Sequence, residues 1–301
     1  MSVRIAVDWG TTALRLWALA PDGHVLAERR SDKGMGGLSP DAFEPAFLDL
    51  AGDLVEAAGA AEVLICGMAG ARSGWRETPY APVPCTLSGK GAATVATRDP
   101  RLSVRIIPGL SQADPPDVMR GEENQIAGFL VGRPDFDGVL CLPGTHTKWV
   151  RVTGGRIDHF RTVMTGELFA LLSGASVLRH SISGDDPWQG DAFEQALRRA
   201  MHAPETLTAA LFALRAESLL ASQPPGATRS ALSGLLIGQE LAATASLWSA
   251  HSVAIIGEPT LAALYRTALA HAGVVAEVLD GGDLVLQGLR TAFAELEETG
   301  V

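Results

Sequence analysis

Asp8-Trp9-Gly10-Thr11-Thr12 and Leu142-Pro143-Gly144-Thr145-His146-Thr147 are two versions of one turn, and the pair decides the fold. Around them, residues 5–29 are echoed by residues 139–161. Sliding Gly10 onto Gly144 sets Thr11 on Thr145, Leu16 on Val150 and Ala18 on Val152, and brings Pro21-Asp22-Gly23 close to Gly154-Gly155. Each copy reads as strand, Gly-Thr turn, strand, second turn, strand, its apolar runs broken by hairpin punctuation. Glycine lets the backbone approach a ligand closely, and threonine adds a hydroxyl beside free amides, so each turn can wrap an anion. The chain therefore reads as two related α/β halves facing each other, with a polyphosphate held between their turns.

The copies differ where chemistry needs a difference, because Asp8 lies opposite Leu142. A hard divalent cation such as Mg²⁺ takes oxygen ligands, keeps several waters and shares one or two carboxylates with substrate phosphates. Asp8, at a strand end before the glycine turn, is placed to supply that carboxylate. The competing account of the pentapeptide alone is an ordinary tight turn.

With 301 residues, 47% of them hydrophobic, the chain can bury a large core, and its length predicts two domains. The net charge of -10 and the absence of any Lys/Arg run exclude an electrostatic footprint for nucleic acid and disfavour an anionic membrane surface. Cys66, Cys85 and Cys141 are far apart and lack metal-ligand spacing, which predicts buried thiols in a reducing compartment rather than zinc or disulfides. No charged and apolar leader precedes the strand at Val3, and no apolar stretch reaches the roughly 18 residues of a membrane span, so the expected location is the cytoplasm. Ser88-Gly89-Lys90-Gly91 lacks the upstream glycine of a Walker loop, and no GxGxxG follows a strand. A nucleotide must bind by another device.

Along the chain, Ser39-Pro40-Asp41 predicts the cap of a helix carrying Phe43, Phe47, Leu50 and Leu54 and fading at Gly59. Residues 62–67 and 104–110 read as buried strands. Gly67 to Trp75 is a glycine-rich loop after a strand end, where open α/β sheets place ligand sites. Residues 122–131 read as a helix crossing between halves, and Arg133-Pro134-Asp135 marks the boundary. Helices are expected around 166–172, 191–201, 206–221, 230–248, 261–272 and 284–298, strands at 253–257 and 275–279, and a loop at Pro224-Pro225-Gly226. The expected domains are 1–133, a sugar- and phosphate-binding lobe with the crossing helix; 134–283, a nucleotide-binding lobe; and 284–301, a helix returning to the first lobe.

This pattern resembles the sugar kinase, heat-shock protein and actin superfamily of ATPases: two duplicated actin-like (ribonuclease H-like) α/β domains with an interdomain cleft. More narrowly, Asp8 to Thr12, Met119-Arg120-Gly121-Glu122-Glu123-Asn124-Gln125, Pro143 to Trp149, Arg161 to Glu167 and Ser233-Gly234-Leu235-Leu236-Ile237-Gly238 resemble, in order, the 2-dehydro-3-deoxygalactonokinase family. The resemblance implies ATP-dependent phosphorylation of 2-dehydro-3-deoxy-D-galactonate on its 6-hydroxyl, in galactonate catabolism. The two turns themselves offer Gly10, Thr11, Thr12, Gly144, Thr145, His146 and Thr147 as phosphate contacts, with Lys148 beside them and His146 equally readable as a satisfied turn residue, and the resemblance implies adenosine contacts from Gly257 and Thr260.

Such chemistry needs a base for the sugar hydroxyl as it attacks the γ-phosphorus in line. Glu122 and Glu123 follow Gly121 at a helix start, much as an Asp follows a glycine at the domain crossing of the related glycerol and xylulose kinases. The departure is Glu for Asp, and its doubling leaves both acids as candidates. Acids in a first helical turn also simply complement the dipole, and that position is expected to lower a carboxylate's pKa. The substrate carboxylate calls for a guanidinium, with Arg72, Arg120 and Arg161 as candidates and Arg120 and Arg161 first because they lie within the family-like blocks. Trp75 is a candidate pocket wall, and Glu167 falls in a substrate-side block. Two alternatives stay open: a kinase of another sugar or sugar acid, and a non-enzymatic actin-like nucleotide switch that assembles with itself. A homo-oligomer is compatible with either.

Overall fold

The computed structural model describes residues 2–221 and 223–298. The chain forms two compact units, the first comprising residues 1–136, 152–159 and the segment from Gly281, the second residues 137–151 and 160–280.

The first unit opens with β1 (Ser2–Trp9), β2 (Leu14–Leu19) and β3 (Val25–Ser31), an antiparallel meander in which Asp8 pairs with Arg15. After α1 (Phe43–Ala58), β4 (Ala60–Gly67) lies parallel to β1. Then follow β5 (Tyr80–Pro82), β6 (Ala93–Val95), β7 (Leu102–Ile106), β8 (Gly109–Gln112), β9 (Asp117–Met119) and α2 (Glu122–Val131). The main sheet runs β3-β2-β1-β4-β7-β6. Its central strands β1, β2 and β4 are buried on both faces, whereas β3 at the edge is not. Ile5, Val7 and Trp9 pack with Phe43, Phe47, Ala51 and Val55 of α1, whereas Ala6, Leu64 and Cys66 face Val285, Leu289 and Phe293 of the C-terminal helix Gly281–Glu298. That helix lies close on α2, because glycines stand at the contact: a Cβ on Gly128 would come within 1.9 Å of the Leu284 carbonyl oxygen, and one on Gly288 within 2.2 Å of the Asn124 oxygen.

Next along the chain, β10 (Gly138–Leu142), β11 (Thr147–Thr153) and β12 (Arg156–Val163) precede α3 (Thr165–Gly174), α4 (Arg179–Ile182), α5 (Gly190–His202), α6 (Leu207–Leu220) and α7 (Pro225–Trp248), all within the second unit save residues 152–159. The chain continues through β13 (Val253–Gly257), α8 (Pro259–His271) and β14 (Ala276–Asp280) into the C-terminal helix, α9. The sheet order is β12-β11-β10-β13-β14, which repeats β3-β2-β1-β4-β7 of the first sheet. This is the duplicated α/β architecture that the twin turns predict.

Three expectations need correction. The run 104–110 is not one strand: β7 stops at Ile106, Pro108 has no N–H to donate, and Gly109 starts β8 in a separate β5-β8-β9 sheet. Ser39 makes no capping bond; a 3-10 turn over Pro40–Ala42 leads into α1 at Phe43. Pro224-Pro225-Gly226 is no simple loop, since α7 begins at Pro225, where a proline's preset φ suits a helix start. Among the described residues, the thiols of Cys66, Cys85 and Cys141 are free, no group of His, Cys, Asp and Glu could cage a metal, and no helix is long and apolar enough to cross a membrane.

Candidate active site

In the first unit the turn after β1 is braced by a following 3-10 turn: Met35 donates to the Gly10 carbonyl at 3.0 Å and Gly36 to the Thr11 carbonyl at 2.8 Å. Thr11 and Thr12 stay exposed. Asp8 is half-buried beside the Cys66 thiol, 3.9 Å from its Oδ1. Burial pushes its pKa up to about 6, with the neighbouring charge of Glu122 adding to the rise and Arg15 opposing it.

Two left-handed glycines bring the start of α2 up to this carboxylate. Gly67 ends β4 with φ 90°, and a Cβ there would stand 2.7 Å from the Trp9 carbonyl oxygen and 3.5 Å from Asp8 Oδ1. Gly121, the α2 N-cap at φ 111°, sits so close that its own Cβ would be 3.4 Å from the Gly67 Cα. Only residues without a side chain allow Asp8, Gly67 and Gly121 to converge in this way.

The paired acids then part. Glu122 is half-exposed and accepts the Arg120 amide at 3.2 Å. Glu123 is 2% exposed; its Oε2 accepts the Gly121 amide at 2.6 Å, and its Oε1 is buried without a partner. Burial first, and then the charge of Glu122, push Glu123 up to about 8. The expectation that the helix start lowers its pKa is therefore corrected, because removal from water outweighs the two backbone amides that favour the anion.

The three arginines also separate. Arg120 is buried, donates to the Thr78 hydroxyl and, at 2.9 Å, to the Thr78 carbonyl, and lies 4.3 Å over the Tyr80 ring, while its Nε is buried without a partner. Arg72 is exposed in the loop that follows β4. Arg161 is exposed on β12 in the second unit. Trp75 is half-buried, stacks on Phe43 at 6.1 Å and meets Trp9 edge-on at 6.0 Å, which makes it a piece of the α1-side core.

In the second unit the turn after β10 is seated on the first turn of α3. A Cβ on Gly166 would lie 2.2 Å from the Gly144 carbonyl oxygen, and Glu167 donates its amide to the Thr145 carbonyl at 2.9 Å. His146 Nε2 and Glu167 Oε2 are 2.5 Å apart, so this Glu holds the turn. A Cβ on Gly144 would meet nothing within 4 Å, leaving open space where an anion would approach. Thr147 points the other way: fully buried, its hydroxyl bonds to the Tyr265 hydroxyl at 2.8 Å. Lys148 is buried as well, with Nζ 3.4 Å from the His146 carbonyl.

Beside Gly144 and Thr145 opens an apolar cavity of about 400 Å³, walled by Phe169, Trp188, Leu236, Ile237, Leu261, Leu264 and Tyr265. A Cβ on Gly257 would stand 3.4 Å from Pro143, next to the turn. Thr260 instead belongs to the cap of α8, its amide and hydroxyl both donating to Glu258 at 2.9 and 2.8 Å. The cavity is lined from this helix by Leu261, Leu264 and Tyr265, residues that sequence reasoning passed over. The signal available for them was the block 233–238, whose Ser233, Leu236 and Ile237 line it.

Residues 8–292 match the family description 2-keto-3-deoxy-galactonokinase. The chain is 40% identical over 292 residues to the Rhizobium meliloti protein named probable 2-dehydro-3-deoxygalactonokinase DgoK1, covering 95% of each. It is 35% identical over 294 residues to the 2-dehydro-3-deoxygalactonokinase of Escherichia coli, covering 95% of this chain and 96% of that one. The crystal structure of a candidate 2-dehydro-3-deoxygalactonokinase from Sinorhizobium meliloti superposes with a TM-score of 0.89 at 38% identity, over 98% of this chain and 99% of the other.

Proposed function

The chain belongs to the 2-keto-3-deoxy-galactonokinase family, and from that premise we propose that it transfers the γ-phosphoryl group of ATP to the 6-hydroxyl of 2-dehydro-3-deoxy-D-galactonate, in the cytoplasm, as a step of galactonate catabolism. The observation that carries the reading is the convergence of Asp8, Gly67 and the Gly121-Glu122 corner at the strand ends of the first unit.

Glu122 is the base in this account. It is the acid of the pair that reaches solvent, and it follows the glycine that brings α2 against Asp8. Glu123, held neutral by burial, grips the Gly121 amide and so fixes the corner from which Glu122 projects. Arg72, exposed on the loop after β4, is the guanidinium free to take the substrate carboxylate in a bidentate pair. In the second unit the cavity takes the adenosine, and the Gly144–His146 turn takes phosphate oxygens. The apolar walls suit a purine face, and the open space at Gly144 suits a close anion.

The metal that such chemistry requires fits Asp8. Mg²⁺ bound through substrate phosphates and waters needs one carboxylate rather than a protein cage, and Asp8 is a half-buried carboxylate beside the exposed Thr11-Thr12 turn. When bound, it would neutralise charge building on the phosphate oxygens. A coupled ADP-release assay comparing the two epimeric 2-keto-3-deoxy sugar acids tests the assignment. The galacto epimer should give the higher kcat/KM; preference for the gluco epimer or for a neutral hexose would overturn the substrate.

A further inference from the structure

Glu240 sits in α7 with no exposure at all, yet its carboxyl is where four elements of the second unit meet. Oε1 accepts the Trp149 indole N–H of β11 at 2.7 Å. Oε2 accepts the Tyr265 hydroxyl of α8 at 2.8 Å and also the Thr165 hydroxyl at the start of α3. Tyr265 in turn shares its 2.8 Å hydrogen bond with the Thr147 hydroxyl, at the foot of the second Gly-Thr turn. Burial pushes this carboxyl up to about 7, and the hydroxyls and the indole only partly offset that. A leucine of similar volume would fill the space without desolvating an acid, so a carboxyl here asks for a role beyond packing.

Its partners point to that role. Thr165 and Tyr265 line the apolar cavity, and Thr147 closes the turn whose Gly144 and Thr145 line the same cavity. We propose that Glu240 is a positioning residue for nucleotide binding: by holding Tyr265 and Thr165, and Thr147 through Tyr265, it keeps the cavity wall and the anion-binding turn at one fixed spacing. The proposal rests on the reading that this cavity takes the adenosine. Glu240 touches no phosphate; it acts through the three hydroxyls.

Hydrogen-bond counting separates this role from bulk packing. A glutamine can keep every contact, because its oxygen accepts from Trp149 while its nitrogen donates to Tyr265 and Thr165, whose hydroxyls rotate to accept. A leucine leaves the indole and both hydroxyls without their common partner. The test is ADP binding by calorimetry, together with steady-state KM values for both substrates. Glu240→Gln should bind ADP within about threefold of the parent, whereas Glu240→Leu should weaken ADP about tenfold or more and leave the sugar-acid KM unmoved. Tyr265→Phe keeps the ring and removes the hydroxyl that joins Glu240 to Thr147, while the bonds of Glu240 to Thr165 and Trp149 stay, so it should fall between them; it also decides the matter should Glu240→Leu fail to fold. Parental ADP affinity in Glu240→Leu or Tyr265→Phe, or equal losses in the Gln and Leu variants, would overturn the proposal. Leu264→Trp, which fills the cavity, checks the underlying reading. Undiminished ADP binding there removes the cavity assignment and the proposal with it, while loss there beside intact binding in Tyr265→Phe sinks the role of Glu240 alone.

Discussion

Replacing Glu123 by Gln separates the two acids at the start of α2 by stability as well as by rate. The Glu123 carboxyl lies buried with a pKa of about 8 against an ordinary 4.5, so between these values the unfolded chain is ionised while the folded protein keeps the proton. Stability from this group is therefore greatest below pH 4.5 and is lost as pH rises towards 8. From pH 5 to pH 8 the loss amounts to about 3 kcal/mol. Glutamine cannot ionise, still offers an oxygen to the Gly121 amide that Glu123 holds at 2.6 Å, and places its amide nitrogen where Oε1 already lacks a partner. The gap in unfolding free energy between Glu123→Gln and the parent should thus move by about 3 kcal/mol in favour of the variant across that range. Asp8 and Glu240 also carry raised pKa values, but they contribute equally to both proteins and cancel in the gap. Urea titrations at half-unit pH steps read the effect directly, and kcat should stay within about tenfold of the parent because the base is intact. A gap that stays flat from pH 5 to 8, or a fall in kcat of about a hundredfold, would refute the reasoning and return Glu123 to the role of base.

Glu122→Gln should lower kcat by roughly 10² to 10⁴ with little change in either KM, measured by coupled ADP release. Asp8→Asn should cut turnover by about two orders of magnitude or more through loss of the metal anchor. Its melting temperature at pH 7 should hold or rise, because the pKa of about 6 marks a carboxylate whose ionised form is disfavoured by burial. Arg72→Ala should raise KM for the sugar acid about tenfold or more and leave KM for ATP alone. Gly166→Ala puts a methyl 2.2 Å from the Gly144 carbonyl oxygen, so the turn must shift, and KM for ATP should rise about tenfold while the sugar-acid KM holds.

The architecture was legible because its signals are local. Gly10 and Gly144 each end an apolar run, and the runs after them repeat at the same spacing, so the duplication can be read without knowing any long-range contact. The strand order that repeats in both sheets follows from that duplication. What escaped was decided across the chain. The break at Ile107-Pro108 looks like a strand continuing in apolar residues; Pro108 ends the ladder, and pairing with β5 and β9, at a glycine with no room for a Cβ beside Met119 and Tyr80, carries the chain into the small sheet. Pro225 opening α7 was hidden for a similar reason: Gly226 belongs there because its Cβ would lie 2.2 Å from the Pro187 carbonyl oxygen, a neighbour that composition does not reveal.

At the site, legibility divided along the same line. Asp8, the two Gly-Thr turns and the Gly121 corner announce themselves through residue type and position. Burial, which sets what each group can do, does not. Glu122 and Glu123 are identical letters side by side, yet helical geometry leaves the first half-exposed and buries the second, whose carboxyl burial pushes up to about 8. Arg120 sits in a motif block beside the acids, but Thr78 and Tyr80, some forty residues earlier, hold its guanidinium in a buried position, whereas Arg72 stays exposed. Thr147 reads as a phosphate ligand from its place in the turn; strand alternation directs its hydroxyl inward to Tyr265 and Glu240 instead. In each case the sequence names the chemical group, and the direction in which the chain buries it determines whether that group meets the substrate or holds the residue that does.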